Sequence, residues 1–153
     1  MQAKDTFFSR KQTINCGGEL FDLSEPKIMG ILNLTSDSFY DGGKYNSQKE
    51  ILRQVNKMLS EGCNIIDIGA YSSRPGAENI SASDEIIKLL PVLEAIRKDF
   101  PEIILSVDTF RSDVAKKVIQ DFKVNIINDI SAGELDDKMF DLVAELKVPY
   151  IMM

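Results

Sequence analysis

Polar residues stand at the ends of several short apolar runs in this 153-residue sequence. They are Asn33, Asp67, Asp108 and the adjacent pair Asn128 and Asp129. A carboxylate or an amide inside an apolar segment costs free energy unless it is hydrogen-bonded. In parallel α/β folds the carboxyl ends of the strands face the ligand crevice. The pattern therefore predicts a small-molecule site with many hydrogen bonds.

Each of these residues also has a purely structural interpretation. Asp108 precedes Thr109 and could cap the next helix, since aspartate is a favoured N-cap residue. Asn128 and Asp129 could satisfy loop backbone, and Asp67, between isoleucines, could hold the following loop. Capping does not explain why such residues occur at the ends of four predicted strands. A single ligand site shared by these strand ends does explain it.

Two long polar segments, 33–43 and 69–79, follow the first two apolar runs. The second contains Arg74, whose planar guanidinium suits phosphate oxygens. Long loops at this edge of a fold can close over a substrate and exclude water, although solvated connections are the alternative. Neither a Walker A pattern nor GxGxxG occurs, so no nucleotide fingerprint is present.

The elements that must position these residues form a regular series. Alternating residues around Gly17-Gly18 predict a β-hairpin, and four strand–helix units then occupy 27–147 before a last apolar run. Such alternation indicates a parallel sheet flanked by helices. Units of roughly 30 residues fit half of a (β/α)8 TIM barrel, which needs about 250 residues. We expect a polar tail at 1–12 and the N-terminal half of one barrel domain at 13–153.

Composition narrows the possible functions. The net charge is −6 and there is no histidine, which excludes imidazole chemistry within these residues and disfavours nucleic-acid binding. The sequence has no run of about 18 apolar residues, so it predicts no membrane span. No secretory signal is visible either, and we therefore expect a cytoplasmic protein. Cys16 and Cys63 fit neither a disulfide framework nor a zinc site, which predicts reduced, buried thiols.

Four motifs resemble one known family. The segment MGILNLTSDSF at 29–39 resembles the signature GILNxTPDSFxDGG of the dihydropteroate synthases, and DIGAYSSRPGA at 67–77 resembles their DxGGESTRPGA. SVDT at 106–109 and INDI at 127–130 match two further strand ends. The resemblance covers 13–153, and its first two motifs are long, ordered and correctly separated.

The resemblance implies a pterin-binding (β/α)8 barrel of folate biosynthesis. Such enzymes join (7,8-dihydropterin-6-yl)methyl diphosphate to 4-aminobenzoate and release diphosphate, with Mg²⁺ as cofactor. By position, Asn33 would lie at the metal and diphosphate, and Asp108 and Asn128 would hydrogen-bond the pterin. Diphosphate leaves first in this mechanism, and the resulting cation is delocalised into the pterin.

The resemblance also assigns residues in the two loops. Ser73 would take the place of a threonine beside the substrate, whereas Arg74, Asp37 and Phe39 would belong to loops that close over the site. We expect catalysis to involve Arg74 with Asp108 and Asn128, and the full-length protein to be a homodimer that binds neither nucleic acid nor membrane.

The sequence departs from the family signatures at Ser36, where proline is usual, at Tyr71, where glutamate is usual, and at Ser73. The later family motifs HMxG, DPGFGF, SRKS and RxHD do not occur, so we expect these residues to be part of a longer protein. A homologue of the same barrel that has lost catalysis would show the same motifs, and two alternatives of other classes also stay open. One is a pterin-binding methyltransferase on the same barrel, and the other is a five-stranded receiver-like or flavodoxin-like module.

Overall fold

The computed structural model describes residues 12–34, 44–71 and 80–153, with the side chains of 44–47 also left undescribed. Within these ranges there are seven strands and four helices. The strands are β1 (Thr13–Cys16), β2 (Glu19–Asp22), β3 (Met29–Asn33), β4 (Ile65–Gly69), β5 (Ile104–Asp108), β6 (Ile126–Asp129) and β7 (Tyr150–Met152). The helices are α1 (Lys44–Ser60), α2 (Ala82–Asp99), α3 (Ser112–Phe122) and α4 (Met139–Leu146).

The predicted hairpin is confirmed. Strands β1 and β2 pair antiparallel, with Cys16 opposite Glu19 at the turn. Gly17 and Gly18 both have positive φ, +70° and +103°, which is the conformation that a two-residue primed turn requires. The side-chain oxygen of Asn15 accepts a 2.7 Å hydrogen bond from the Gly18 N–H and closes the turn.

The main sheet has five parallel strands in the sequential order β3-β4-β5-β6-β7. A doubly wound module reverses its strand order at a switch point, where the ligand binds. No reversal occurs among the described strands, so the receiver-like or flavodoxin-like alternative is wrong. Sequential order is the arrangement of a (β/α)8 barrel, as predicted.

The helices cover one face of this sheet and form the larger core with it. Alternate strand residues point into this core, and each buried aliphatic side chain contributes roughly 1.5–3 kcal/mol. Its completely buried members include Ile66, Ile68, Leu105, Val107, Ile127, Val55, Leu89, Leu93, Ile96, Val114, Val118 and Met139.

Two predicted helix starts have different outcomes. The Ser81-x-x-Asp84 spacing predicts a helix start, and Ser81 does cap α2 and form a reciprocal capping box with Asp84. The Ser47-x-x-Glu50 spacing likewise predicts a capping box at a helix start, and this prediction is wrong because α1 already begins at Lys44. A Ser-x-x-Glu pattern marks a possible start, but no proline or glycine in 44–46 prevents the helix from extending upstream.

The hairpin lies against the opposite face of the sheet, at the amino ends of its strands. Cys16 is 3% exposed and packs with Ile65 and Ile126, the first residues of β4 and β6. The hairpin therefore covers the end of the sheet that lies away from the polar residues. Both cysteines are free, although Cys63 is only half-buried.

Candidate active site

A row of residues in register crosses the carboxyl ends of the strands. Asn33 pairs with Gly69, Gly69 with Asp108, and Asp108 with Asn128. Residues in register point to the same face of a sheet, so the three polar side chains share the face that the helices leave uncovered. Three separate predictions are thereby brought together at one edge.

Gly69 leaves room between two members of this row. A Cβ at Gly69 would stand 3.3 Å from Asn33 Oδ1 and 3.5 Å from Asp108 Oδ2. The two polar side chains thus approach each other over a residue that has no side chain. Asn33 is exposed, whereas Asp108 is partly buried.

Asp67 and Ser106 form a second, deeper row and pair in register on β4 and β5. Both are buried, Asp67 at 4% exposure. Asn128 donates a 3.0 Å hydrogen bond from Nδ2 to Asp67 Oδ2. Because an ionised carboxylate only accepts, this bond fixes the orientation of the amide and turns Asn128 Oδ1 away from Asp67.

Two buried acceptor atoms at this edge lack a donor. Among the residues that the structure describes, no donor reaches Asp67 Oδ1 or Asn128 Oδ1. A buried acceptor without a partner costs about 1–3 kcal/mol, and such atoms in a folded protein call for an explanation. With the neighbouring Asp108 carboxyl, they form a surface suited to a ligand rich in N–H donors.

The electrostatics of the site agree with this interpretation. Burial raises the pKa of Asp67, although the Asn128 amide, which donates to its carboxylate, lowers it in part. Burial also raises the pKa of Asp108 to about 6, with further contributions from the negative charges of Asp67, Glu85 and Asp129. A ligand that brings donors or positive charge would relieve this repulsion.

Asp129 has a structural role. Its carboxylate accepts from the Ser131 N–H at 2.7 Å, from the Ser131 hydroxyl at 2.8 Å, from the Gly133 N–H at 3.0 Å and from the Tyr150 hydroxyl at 2.6 Å. Burial, followed by Asp129, raises the pKa of Tyr150. For Asp129 the loop-backbone interpretation is therefore correct.

The helix-cap interpretation of Asp108 is wrong. The N-cap of α3 is Arg111, which makes no side-chain capping bond. Asp136, in the connection between β6 and α4, instead accepts a 2.7 Å hydrogen bond from the Ser112 N–H. Asp108 is thus free for another role.

Two residues near the site were not among the predicted ones. Glu85 is completely buried in α2 and pairs with Arg111. The apolar spacing in the sequence predicts Ile86 and Leu90 on the buried face of α2, but both are only partly buried. The buried positions are Glu85, Leu89, Val92, Leu93 and Ile96. The spacing of this stripe could have identified Glu85 as an acid on an apolar helix face.

The remaining predicted site residues lie outside the described part of the chain. These are Asp37 and Phe39 in the first loop, and Ser73 and Arg74 in the second. Within 12–34, 44–71 and 80–153, no cluster of three or more His, Cys, Asp or Glu side chains could hold a metal ion. No helix in those ranges is both long and apolar enough to cross a membrane.

The chain belongs to the family of pterin binding enzymes, whose sequence pattern matches residues 29–153. It is 49% identical over 146 residues to the mitochondrial folate synthesis bifunctional protein of Arabidopsis thaliana, an alignment that covers 94% of this chain and 26% of the relative. It is 43% identical over 126 residues to the dihydropteroate synthase of Streptococcus pyogenes serotype M1, covering 82% of this chain and 47% of that enzyme.

Solved structures that resemble this chain include dihydropteroate synthases. The dihydropteroate synthase of Xanthomonas albilineans, solved with 4-aminobenzoic acid, superposes with a TM-score of 0.79 at 33% identity, over 91% of this chain and 51% of that one. The enzyme of Coxiella burnetii, in complex with pteroic acid, gives 0.72 at 35% identity, over 90% and 48%. The chain therefore spans about half the length of the synthases that it matches.

Proposed function

We propose that this protein is a dihydropteroate synthase, which condenses (7,8-dihydropterin-6-yl)methyl diphosphate with 4-aminobenzoate to give 7,8-dihydropteroate and diphosphate. The observation that carries the proposal is the unpartnered pair of buried acceptors, Asp67 Oδ1 and Asn128 Oδ1, beside Asp108. They lie in a chain of the pterin-binding family whose structural neighbours include synthases solved with 4-aminobenzoic acid and with pteroic acid.

The chemistry of a pterin matches these acceptors. Its aminopyrimidine ring presents an exocyclic amino group and ring N–H groups, which are donors. In our proposal Asp108 and Asn128 accept from the ring. An ionised Asp108 then stabilises the positive charge that spreads into the pterin when diphosphate departs, because a fixed negative charge in a water-poor site acts strongly there.

Asn33 is the residue that we propose for Mg²⁺ and diphosphate. Mg²⁺ prefers oxygen ligands, keeps several waters and often shares substrate phosphates. The exposed amide oxygen of Asn33, at the open end of the row, fits a cation held mainly by diphosphate and water. When bound, Mg²⁺ would neutralise charge on the leaving group.

The residues of the two long loops are assigned from the family resemblance alone. We propose that Arg74 takes part in catalysis and that Ser73, Asp37 and Phe39 contact the substrates. A side-chain nucleophile is not required, because departure of diphosphate creates the electrophile and the amine of 4-aminobenzoate attacks it.

An assay of the full-length protein tests the proposed function. Incubation with both substrates and Mg²⁺ should yield 7,8-dihydropteroate and diphosphate in equal amounts. Asp108→Asn should reduce this activity, whereas Asp99→Asn, the same change at an exposed position at the far end of α2, should not. A wild-type protein that folds and forms no dihydropteroate would overturn the proposal.

We also propose a homodimer in a cytoplasmic setting, as the family resemblance and the sequence suggested. The Arabidopsis relative is named mitochondrial, so location requires its own experiment, such as fractionation of the source cells. Light scattering on the full-length protein measures the oligomeric state, and a monomeric mass would contradict the dimer.

A further inference from the structure

The side-chain amide of Asn128 carries two chemically different atoms, and only one of them suits a ligand rich in N–H donors. Its oxygen accepts hydrogen bonds, whereas its nitrogen donates them. The two atoms exchange places when the amide turns over, and the shape of the side chain hardly changes. A ligand at this position therefore meets an acceptor or a donor, depending on which way the amide faces. The residue that fixes this orientation also determines whether Asn128 can bind a pterin ring.

Asp67 is the residue that fixes the orientation. Asn128 Nδ2 donates a 3.0 Å hydrogen bond to Asp67 Oδ2, and an ionised carboxylate has no donor to offer to Asn128 Oδ1. The reversed amide would place its oxygen against a carboxylate oxygen and lose a charge-assisted bond, which is stronger than a bond between neutral groups. Among the described residues no donor reaches Asn128 Oδ1, so this oxygen is left for a ligand.

Burial makes this constraint effective. Asp67 is 4% exposed and Asn128 is 8% exposed. Because water competes little at such positions, a polar group that loses its partner there bears most of the cost of its desolvation. The bond therefore excludes the reversed orientation of the amide more strongly than the same bond would at the protein surface.

Asp67 lies one level below the row that contains Asp108 and Asn128. It stands two positions before Gly69 in β4, and Gly69 is the register partner of Asp108. A strand rises about 3.3 Å per residue, so the carboxylate lies at the level of its own register partner, Ser106. A ligand held at the row is therefore connected to Asp67 through the Asn128 amide.

We propose that Asp67 is a positioning residue for pterin binding: by accepting from the Asn128 amide, it holds the amide oxygen toward the ligand and thereby sets the affinity for the pterin substrate. This inference rests on the proposed function, which assigns the pterin contacts to Asp108 and Asn128. Asp67 itself touches no substrate in this arrangement. Its effect on binding passes entirely through Asn128, which distinguishes it from a direct contact.

Two substitutions at position 67 separate the acceptor from the charge. Asp67→Ala removes both, so the Asn128 N–H group has no acceptor when the amide oxygen faces the ligand, and pterin affinity should fall about five- to tenfold. Asp67→Asn removes the charge and keeps an oxygen that accepts from Asn128, so its affinity should stay within about twofold of the wild type. Equal affinities of the two variants would overturn the proposal, as would a wild-type affinity in Asp67→Ala.

Calorimetry with the full-length protein and (7,8-dihydropterin-6-yl)methyl diphosphate gives these affinities. The titrations belong at pH 8, because the pKa of Asp108 is raised to about 6 in part by the charge of Asp67. At pH 8 Asp108 is ionised with or without that charge, so the variants differ only at position 67. Asp99→Ala, at an exposed position at the end of α2, is the matched control and should bind as the wild type does.

Asn128→Ala provides the background that tests the route of the effect. Without the Asn128 amide nothing remains for Asp67 to orient, so adding Asp67→Ala should cause no further loss of pterin affinity. A merely structural role of Asp67, or a direct contact with the ligand, would lower the affinity in this background as well. A further loss of more than about twofold would therefore overturn the proposal.

Nuclear magnetic resonance measures the orientation without any substrate. In isotope-labelled, ligand-free protein one side-chain N–H proton of Asn128, identified by its loss in Asn128→Ala, should resonate downfield because it is bonded to a carboxylate. Asp67→Ala should abolish this shift, and Asp99→Ala should keep it. If the wild type makes no dihydropteroate, the proposed function fails. A wild-type Asn128 signal without the downfield shift, or one that Asp67→Ala leaves unchanged, contradicts the positioning role separately.

Discussion

Asn128 donates its side-chain N–H to Asp67 across an intervening strand, at a distance of 3.0 Å. Asp67 belongs to β4 and Asn128 to β6, and β5 lies between them. The bond therefore spans three strands on the face opposite the helices. It leaves one oxygen of each side chain without a donor among the described residues, so a single contact both holds the site together and prepares it for a ligand.

A double-mutant cycle measures this contact. Asp67→Ala and Asn128→Ala each remove one partner of a buried bond and should each lower the free energy of unfolding by about 1–3 kcal/mol. The double variant should lose less than the sum, with a coupling of about 0.5–3 kcal/mol. Chemical denaturation of the three variants and the wild type gives the values, and strict additivity would mean that the two side chains act independently.

Asp108→Asn separates binding from stability. The amide keeps an acceptor but loses the charge and directs a donor at the donors of the ring. Loss of a charge-assisted bond should cost roughly 1.5–3 kcal/mol of pterin affinity, about ten- to a hundredfold. Calorimetry with the pterin substrate checks this, with Asp99→Asn as the control. An unchanged affinity would remove Asp108 from the proposed site.

Ligand-free stability should respond to the same change in the opposite direction. The pKa of Asp108 is raised to about 6 from an ordinary 3.8, so the folded state binds its proton more tightly than the unfolded state does. Stability is therefore lost as the pH rises from about 4 through 6. Above pH 6 Asp108→Asn should be more stable than the wild type by about 1–3 kcal/mol, and thermal melts should show about half of that gain at pH 5 and all of it at pH 8.

Pterin affinity should fall in acid. If the ionised form of Asp108 binds the pterin, each pH unit below about 6 reduces that form, and the affinity, about tenfold. Titrations between pH 4.5 and pH 8 measure the slope. The Asp108→Asn variant should lack this slope, so a wild-type and a variant profile of the same shape would assign the titration to another group.

Arg97 provides a prediction far from the site. Its five N–H donors all bind, to the carbonyl oxygens of Phe122, Pro101, Ile103 and Lys123 and to the side chain of Asn125. Lysine cannot replace this fork. Arg97→Lys should lower the free energy of unfolding by about 1–3 kcal/mol and leave KM for both substrates unchanged. A denaturation curve that coincides with that of the wild type would contradict this.

The sequence predicted those features of the fold and the site that depend on residues close together in the chain. Apolar runs ending in Asn33, Asp108 and Asn128 predicted both the strands and the edge at which these residues meet, because strand direction determines which ends converge. The sequence could not predict side-chain contacts between residues that are far apart in the chain. The pairing of Glu85 with Arg111, 26 residues apart, and the capping of Ser112 by Asp136 depend on how helices and connections pack, which no local pattern contains.

The register of the polar row limits how this sequence can change during evolution. Side chains alternate between the two faces of a strand, so inserting or deleting one residue early in β5 would move Asp108 to the face that packs on the helices. The same holds for Asn33 in β3 and Asn128 in β6. Insertions and deletions among relatives should therefore occur in the connections and be rare in the strands. This should hold even at strand positions where one side chain can be substituted for another.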